Sequence, residues 1–247
     1  MKEISGGTVM GQAIDSGELS KAIRRMANEH HSTPEVQYLF ETRFTPERAK
    51  VWTINQAHFV RNRRDCWALA MGQAPLDVKR EIWLHEQDEL IGDPRAGGED
   101  HFTLTTKEAA LLGVSAEEMA RSEPHPFVAA ALEAWLHLGK QTWLESFCAV
   151  SMVEAINSNA IIATGGFSSR SRDRLIADLG LAKESLKNRN VHVEADQEHA
   201  LMLDNVLARH VRSERERDTV IAALKKTLVI DRAYRAGLAF AMNQIPL

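Results

Sequence analysis

The sequence predicts an all-α protein that folds as a bundle of helices. Apolar residues recur at helical spacing through most of the 247-residue chain, and the alternation typical of β-strands is nearly absent. Helix start signals occur along the whole chain, and no linker is long or polar enough to separate two domains. We therefore expect about seven main helices, each burying one face, in a single domain over residues 18–247.

The first half of the chain begins with a glycine-rich, non-periodic segment, residues 1–17, which predicts a flexible arm. A long helix is indicated by Thr45 and Pro46, because threonine is a good N-cap and proline suits the first helical position. Glycines and a proline between residues 92 and 103 predict a loop. The helices expected before this loop cover residues 18–29, 34–41, 46–71 and 76–91.

The second half of the chain starts with two spacings typical of capping boxes, Thr105 with Glu108 and Ser115 with Glu118, which predict two short helices. A third such spacing begins at Ser213 and predicts the start of the last helix. The longer helices expected here cover residues 127–163, 169–179, a segment ending near 211, and 213–242.

Composition excludes several classes of protein. The net charge of −4 argues against a general nucleic-acid binder, and no stretch approaches the roughly 20 apolar residues of a membrane span. The segment Met1–Gly7 lacks the apolar core of a signal peptide. Cys66 and Cys148 lie in predicted helix interiors, without the spacing of a metal site. We expect two buried thiols in a cytoplasmic protein with neither a nucleic-acid nor a membrane partner.

Three side chains of metal-binding type share one stripe of a predicted helix. His192, Asp196 and His199 are separated by four and three residues, and a helix places such residues on one side. Two imidazoles and a carboxylate suit iron, zinc or manganese. The alternative is a solvated helix face, since Glu194 and Glu198 make the whole segment polar.

A second helix repeats this pattern with Glu81, His85 and Asp88, which have the same offsets of four and seven. The neighbouring Trp83 and Leu84 are expected to be buried. The acidic stripe then lies either at an edge or in a polar cavity. An ordinary helical pair on the surface is the alternative.

Glu154 is a third candidate, because it lies in the mostly apolar segment Trp143–Ile156, in which Glu145 is expected at an exposed end. A carboxylate in such a segment is seldom buried unless it is paired or binds a metal. The alternative is a core carboxylate paired with an arginine.

Together these motifs resemble the haem-oxygenase-like dimetal oxidases, whose fold superfamily also contains thiaminase-type (TenA) and pyrroloquinoline-quinone synthase proteins. The resemblance covers about residues 34–242. It includes Phe44–Glu47 in the first long helix, His101 and Phe102 followed by Leu111–Ser115, and Phe147–Val150 before the central glutamate. The His-x3-Asp-x2-His element is its most specific part.

The resemblance implies a set of metal ligands on three helices. Glu81 is the first-helix carboxylate, Glu154 the central one, and His192, Asp196 and His199 are the ligands of the third helix.

This chain departs from the family at one ligand position. The family usually has a histidine seven residues after the first glutamate, where this chain has Asp88. Asp88 keeps the offset and can still bind iron, and His85, one helical turn away, is the alternative ligand.

The resemblance also implies a cofactor and an activity. Two Fe(II) ions would reduce O2 and oxidise a small, amino-acid-like substrate, by N-oxygenation or oxidative C–C cleavage in specialised metabolism. An external electron donor and a homodimer, packed through Leu224, Leu228 and Tyr234, are expected. Arg170, after a Gly-Gly turn, is the candidate for binding a substrate carboxylate, the alternative being a basic surface helix.

Two rival functions remain open at this point. The first is a metal-free oxidase of the pyrroloquinoline-quinone synthase type, which would use histidine and acidic side chains for acid–base chemistry. The second is a non-catalytic helical binding protein whose acidic helices are simply solvated.

Overall fold

The computed structural model describes residues 15–247 and contains eleven α-helices, two short 3₁₀ segments and no strand within that range. The helices are α1 (Ser16–His31), α2 (Pro34–Glu41), α3 (Pro46–Gln73), α4 (Leu76–Leu90), α5 (His101–Leu111), α6 (Ala116–Arg121), α7 (Pro126–Gly139), α8 (Trp143–Asn157), α9 (Phe167–Leu179), α10 (Lys187–His210) and α11 (Glu214–Asn243).

The predicted all-α, single-domain bundle is confirmed. Seven of the helices have 14 or more residues, which agrees with the expected number of main helices. Because α1 begins at Ser16, the end of the predicted N-terminal arm (residues 1–17) is helical, and residues 1–14 lie outside the described part of the chain. None of the described helices combines the length and the apolar content that a membrane span requires.

Capping residues account for most helix starts. The Thr45 hydroxyl accepts a hydrogen bond from the backbone N–H of Arg48 at the start of α3. Ser213 and Glu216 form a reciprocal capping box at the start of α11. The predicted start at Thr105 was wrong, since α5 begins four residues earlier with Asp100 as its N-cap.

The long helix predicted for residues 127–163 is two helices, α7 and α8. Helix α7 ends at Gly139, and α8 begins at Trp143. Thr142 and Glu145 form the capping box at the start of α8. Two antiparallel elements replace the single predicted one, because apolar periodicity continues through the break and hides it.

α8 is the central helix of the bundle and packs against α3, α10 and α11. Every residue from Ser146 to Ile156 is buried, so Glu154 lies inside the bundle. Leu224, Leu228 and Tyr234 of α11 are also buried within the chain, so they do not form the expected surface for a second copy. Cys66 and Cys148 are buried free thiols.

Candidate metal centre

Helix α4 buries three ionisable side chains together with Val78 and Ile82, and it exposes several of its large apolar residues. Trp83 and Leu84 are 54% and 62% exposed, whereas His85, Glu86 and Glu89 are buried. This arrangement reverses the expectation that the apolar neighbours face the core. Burying ionisable groups is costly unless they are paired or bind a metal, so the inner face of α4 is a candidate functional surface.

Helices α8 and α10 bring three of the predicted ligands together. Glu154, Asp196 and His199 each offer one ligand atom, and these atoms lie within 4.8 Å of one another. The Nδ1 atom of His199 is 3.9 Å from Oε2 of Glu154. The three residues therefore form a buried triad of the type that holds a divalent metal ion.

Two further triads extend this one in a row, each sharing one residue with its neighbour. His85, Glu89 and His199 form the second, and Glu89, His101 and His192 form the third, again with ligand atoms within 4.8 Å. Glu89 and His199 each belong to two triads. Because carboxylates can bridge two cations, this sharing is the arrangement expected for two adjacent metal positions.

The rings of His101 and His192 are held by hydrogen bonds on the side away from the triads. The Nε2 atom of His101 is 2.9 Å from Asp93 Oδ2, and its Nδ1 faces Glu89 Oε1, also at 2.9 Å. His192 Nδ1 donates to the backbone carbonyl of Asn188 at 2.9 Å, which leaves Nε2 as its ligand atom.

His85 is oriented in a similar way from α4. Its Nδ1 lies 2.9 Å from Glu86 Oε1, and its Nε2 lies 3.9 Å from Glu154 Oε1. Arg64 of α3 holds both glutamates of α4, since its Nη1 is 2.8 Å from Glu86 and 3.0 Å from Glu89. One guanidinium therefore fixes two carboxylates of the inner face and offsets part of their charge.

The loop after α4 is built around Asp93, which is fully buried. Its carboxylate accepts a hydrogen bond from His101 and also from the backbone N–H of Arg95, at 2.7 Å. A Cβ atom at Gly92 would overlap the backbone of Gly98, so glycine permits this close approach of the loop to itself. The predicted loop is thus an ordered support for His101.

Among residues 15–247, the buried ring nitrogens without a hydrogen-bond partner include two that face Glu154, His85 Nε2 and His199 Nδ1. Buried polar atoms are normally satisfied, so such exceptions indicate a missing partner. Each nitrogen lies 3.9 Å from one carboxylate oxygen of Glu154, and the two rings are adjacent, with centroids 4.1 Å apart. The four imidazoles and three carboxylates of this cluster are ligand types that could hold a first-row divalent metal ion.

Burial keeps two histidines in the neutral form that binds metals. Burial and the charge of His101 lower the pKa of His192 to about 3. Burial and the neighbouring His199 hold the pKa of His85 well below its usual value. At neutral pH both rings present a free lone pair.

Other members of the cluster have raised pKa values. Burial would lower the pKa of His101, but the carboxylates of Glu89 and Asp93 raise it to about 9. Burial and the charge of Glu154 raise the pKa of Asp196 to about 7. His101 and Asp196 therefore hold protons near neutral pH, and a bound metal ion would displace those protons.

Two of the predicted ligands lie outside the three triads. Glu81 forms an ion pair with Arg209 of α10. Asp88 is 2.5 Å from Arg95, which also reaches Glu198 at 2.7 Å. Both acids line an open cavity of about 360 Å³ whose wall includes His85 and His199. They stand at the entrance to the cluster.

Arg170, the predicted substrate-binding residue, lies on α9 and is half-buried. Its guanidinium carbon is 3.5 Å from the centroid of the Phe40 ring, and the residue lines neither of the two cavities that reach the cluster. In the structure, Arg170 therefore stacks on Phe40 and does not line a cavity beside the cluster.

Glu89 and His101 are the members of the cluster that the sequence analysis did not select. Glu89 follows His85 by four residues, and this spacing places both on one side of a helix. Glu81 precedes His85 by the same number of residues, so spacing alone does not show which glutamate joins the cluster. His101 opens a different helix, so no spacing within one helix indicates its role.

No family model matches this sequence, and no curated protein matches it. Solved structures match over most of the chain. A domain of unknown function with a heme oxygenase-like fold from Shewanella denitrificans OS217 is 15% identical with a TM-score of 0.68, covering 94% of this chain and 91% of that one.

Two other solved structures share the fold. A CADD-like protein of unknown function from Nostoc punctiforme PCC 73102 is 17% identical with a TM-score of 0.70, covering 91% of this chain and 97% of its own. A TenA homologue from Pseudomonas syringae pv. tomato str. DC3000 is 14% identical with a TM-score of 0.62, covering 94% of both chains. The chain therefore has the heme oxygenase-like fold that CADD-like and TenA proteins share.

Proposed function

We propose that this protein is an O2-activating oxidase or oxygenase with a dinuclear non-haem iron centre. The observation that carries the proposal is the set of three overlapping buried triads, in which Glu89 and His199 are shared. The resemblance to haem-oxygenase-like dimetal oxidases supports iron as the metal. An iron pair, when bound, would supply the electrons and the coordination sites for O2 reduction.

The triads suggest how seven residues divide between two metal ions. Glu154, Asp196 and His199 would hold the first ion, and Glu89, His101 and His192 the second. Glu89 also shares a triad with His85 and His199, and this link toward the first position suits a bridging carboxylate. His85 would complete the first position, because its Nε2 faces Glu154 at 3.9 Å.

The surrounding residues would keep these ligands ready for binding. Glu86 and Asp93 orient the rings of His85 and His101, and such outer partners typically change metal affinity 10–100-fold. The apolar ring of Trp67 packs against His85 at a tilt, with ring centroids 4.6 Å apart. Preorganisation of this kind lowers the cost of assembling the site.

The open cavity of about 360 Å³ would be the route by which substrate and metal ions reach the centre. We propose a small substrate, amino-acid-like by the resemblance, that undergoes N-oxygenation or C–C cleavage in specialised metabolism. The external electron donor, the homodimer and the cytoplasmic location remain predictions.

A metal-free oxidase of the same fold is the second candidate, favoured by the TenA homologues among the structural neighbours. In that case the buried histidines and carboxylates would move protons on a bound substrate, as pKa values near 7 and 9 permit for Asp196 and His101. A chelated protein would then keep its activity. The iron oxidase would lose it.

Anaerobic titration with Fe(II), followed by exposure to O2, tests the proposal. We expect two Fe(II) ions per chain and O2 consumption that depends on them. Glu89→Gln and His101→Ala should each lose about one ion per chain. Glu81→Gln is the matched control on the same helix, and it should keep two.

The variants also decide between the two possible ligand sets. Loss of iron in Glu81→Gln and Asp88→Asn, with full binding in Glu89→Gln, would favour the set implied by the family resemblance. No stoichiometric iron binding in the wild-type protein would contradict the oxidase proposal and favour the metal-free enzyme.

A further inference from the structure

A small cavity lies beside His192. Its volume is about 50 Å³, and its wall includes His192 and Ser168 together with Phe59 and Phe167. The Ser168 hydroxyl donates to Asp196 at 3.0 Å, so the cavity touches the first triad as well. Since one water needs roughly 10–15 Å³, the space fits a group of about three or four non-hydrogen atoms.

Two primary amides line this cavity without protein partners. Gln56 of α3 and Asn188 of α10 are each 5% exposed. Within the described range of residues, Gln56 Nε2 and Asn188 Oδ1 have no hydrogen-bond partner. A primary amide carries both donors and an acceptor, and leaving it unpaired in the interior is unfavourable. The two amides therefore indicate a ligand that both donates and accepts.

The charges around the cavity are already balanced. Arg189 Nε is 2.9 Å from Glu108 Oε1, and Arg235 Nε is 3.1 Å from Asp231 Oδ2, all four side chains being buried. A carboxylate placed here would add an unpaired negative charge. It would also bring only acceptors, which the amide oxygen of Asn188 cannot use.

We propose that this cavity binds a neutral group of the substrate that carries a donor and an acceptor on adjacent atoms, such as a primary carboxamide. Gln56 and Asn188 pair with that group, and His192 borders both this cavity and the third triad. The inference rests on the proposed function, because only a working metal centre makes the bound molecule a substrate. It replaces the charged carboxylate expected at Arg170 with a neutral end bound between α3 and α10.

Acetamide and acetate form a matched pair of probes, because they have nearly the same shape. Acetamide has an NH2 group where acetate has a charged oxygen. Protein labelled with 15N is titrated with each probe after metal removal, and the side-chain amide signals of Gln56 and Asn188 are followed by NMR. Probes of four non-hydrogen atoms bind weakly, so saturation in the millimolar range is expected for acetamide. Acetate should bind at least about tenfold more weakly.

Substitutions test whether the two amides form the site. Asn188→Leu and Gln56→Leu should each weaken acetamide binding about tenfold or more. Gln197→Leu is the matched control, since Gln197 is exposed on the same helix as Asn188 and should leave binding unchanged. If a leucine variant does not fold, the comparison of the two probes on the wild-type protein still decides the question.

Three outcomes would overturn the inference. They are equal or tighter binding of acetate, no saturable binding of either probe, and acetamide shifts that persist in both leucine variants. The titration uses metal-free protein, whose fold is checked by far-UV circular dichroism. Failure to bind iron would therefore contradict the proposed function without changing this result, and failure to bind acetamide would leave the metal centre untouched.

Discussion

A buried ion cluster on α11 allows a quantitative test of how the bundle is stabilised. Asp231 Oδ2 accepts a hydrogen bond from Arg235 Nε at 3.1 Å and lies 2.8 Å from His30 Nε2. All three residues are at most 3% exposed. The substitution Asp231→Asn keeps the shape of the side chain and removes its charge, which leaves the Arg235 guanidinium without its carboxylate.

The expected loss follows from this burial. Removing one partner of a buried ion pair costs about 3–5 kcal/mol, because the other charge stays in the interior. For a chain of this length 1 kcal/mol changes Tm by about 2–4 °C, so Asp231→Asn should lower Tm by about 6–20 °C. Thermal unfolding and urea denaturation, both followed by circular dichroism, measure the change in Tm and in the free energy of unfolding.

An exposed pair provides the matched control. Arg121 and Glu117 have the same i, i+4 spacing, but their side chains are 80% and 73% exposed. Glu117→Gln should therefore change the free energy of unfolding by less than about 0.5 kcal/mol. A loss below about 1 kcal/mol in Asp231→Asn, or an equal loss in both variants, would refute the reasoning.

The pH dependence of stability tests the same ion cluster independently. Burial would raise the pKa of Asp231, but the charge of Arg235 and the contact with His30 hold it far below its usual range. A carboxylate with a depressed folded-state pKa stabilises the protein above its unfolded pKa of about 3.9, and this contribution is lost as pH falls below that value. The difference between the wild type and Asp231→Asn should therefore shrink below about pH 4.

Three other predictions concern metal binding, backbone approach and thiol burial. Because the pKa of His101 is raised to about 9, Fe(II) affinity should rise with pH up to about 9, and Fe(II) binding should release protons. Calorimetry in buffers of different ionisation enthalpy measures the number of protons released, and the absence of proton release would contradict the prediction. A Cβ at Gly166 would overlap backbone, whereas none of the described atoms lies within 4 Å of one at Gly72. Urea denaturation should thus show Gly166→Ala destabilised by more than about 1 kcal/mol and Gly72→Ala stabilised by about 0.4–1 kcal/mol, and equal effects would refute the contact argument. Burial raises the pKa of Cys66 and Cys148, so Ellman's reagent should label them only after unfolding, and rapid labelling of folded protein at pH 8 would disprove their burial.

The fold could be predicted because its signals are local. A period of 3.6 residues and capping residues such as Thr45 and Ser213 act within a few positions of each helix start. The break between α7 and α8 was missed for the same reason, since apolar residues continue at helical spacing on both sides of Thr142. Where helices end depends on which neighbours they pack against, and that information is not local.

The ligand stripe of α10 was also accessible from sequence. His192, Asp196 and His199 lie on one helix, so their relative positions depend on helix geometry alone. Glu154 could be selected because it interrupts an apolar segment, and burial of that segment carries the carboxylate into the core. Glu154, Asp196 and His199 meet in one triad, and His192 belongs to the triad with Glu89 and His101.

Helix α4 shows what sequence spacing leaves undecided. Two stripes, one through Glu81 and Asp88 and one through His85 and Glu89, are equally compatible with a helix. A change of one residue, from Asp88 to Glu89, rotates the side chain by about 100° around the helix axis. Packing of α4 against α3 and α10 selects the second stripe, although this choice exposes Trp83.

By itself, then, the sequence determined the all-α fold class, most helix boundaries and the ligand residues that share α10. The tertiary structure alone decided that Glu89 faces inward and that His101, from another helix, joins His192. The physical reason is that spacing defines angles within one helix, whereas the rotation of each helix about its axis is set by the contacts of all the helices around it.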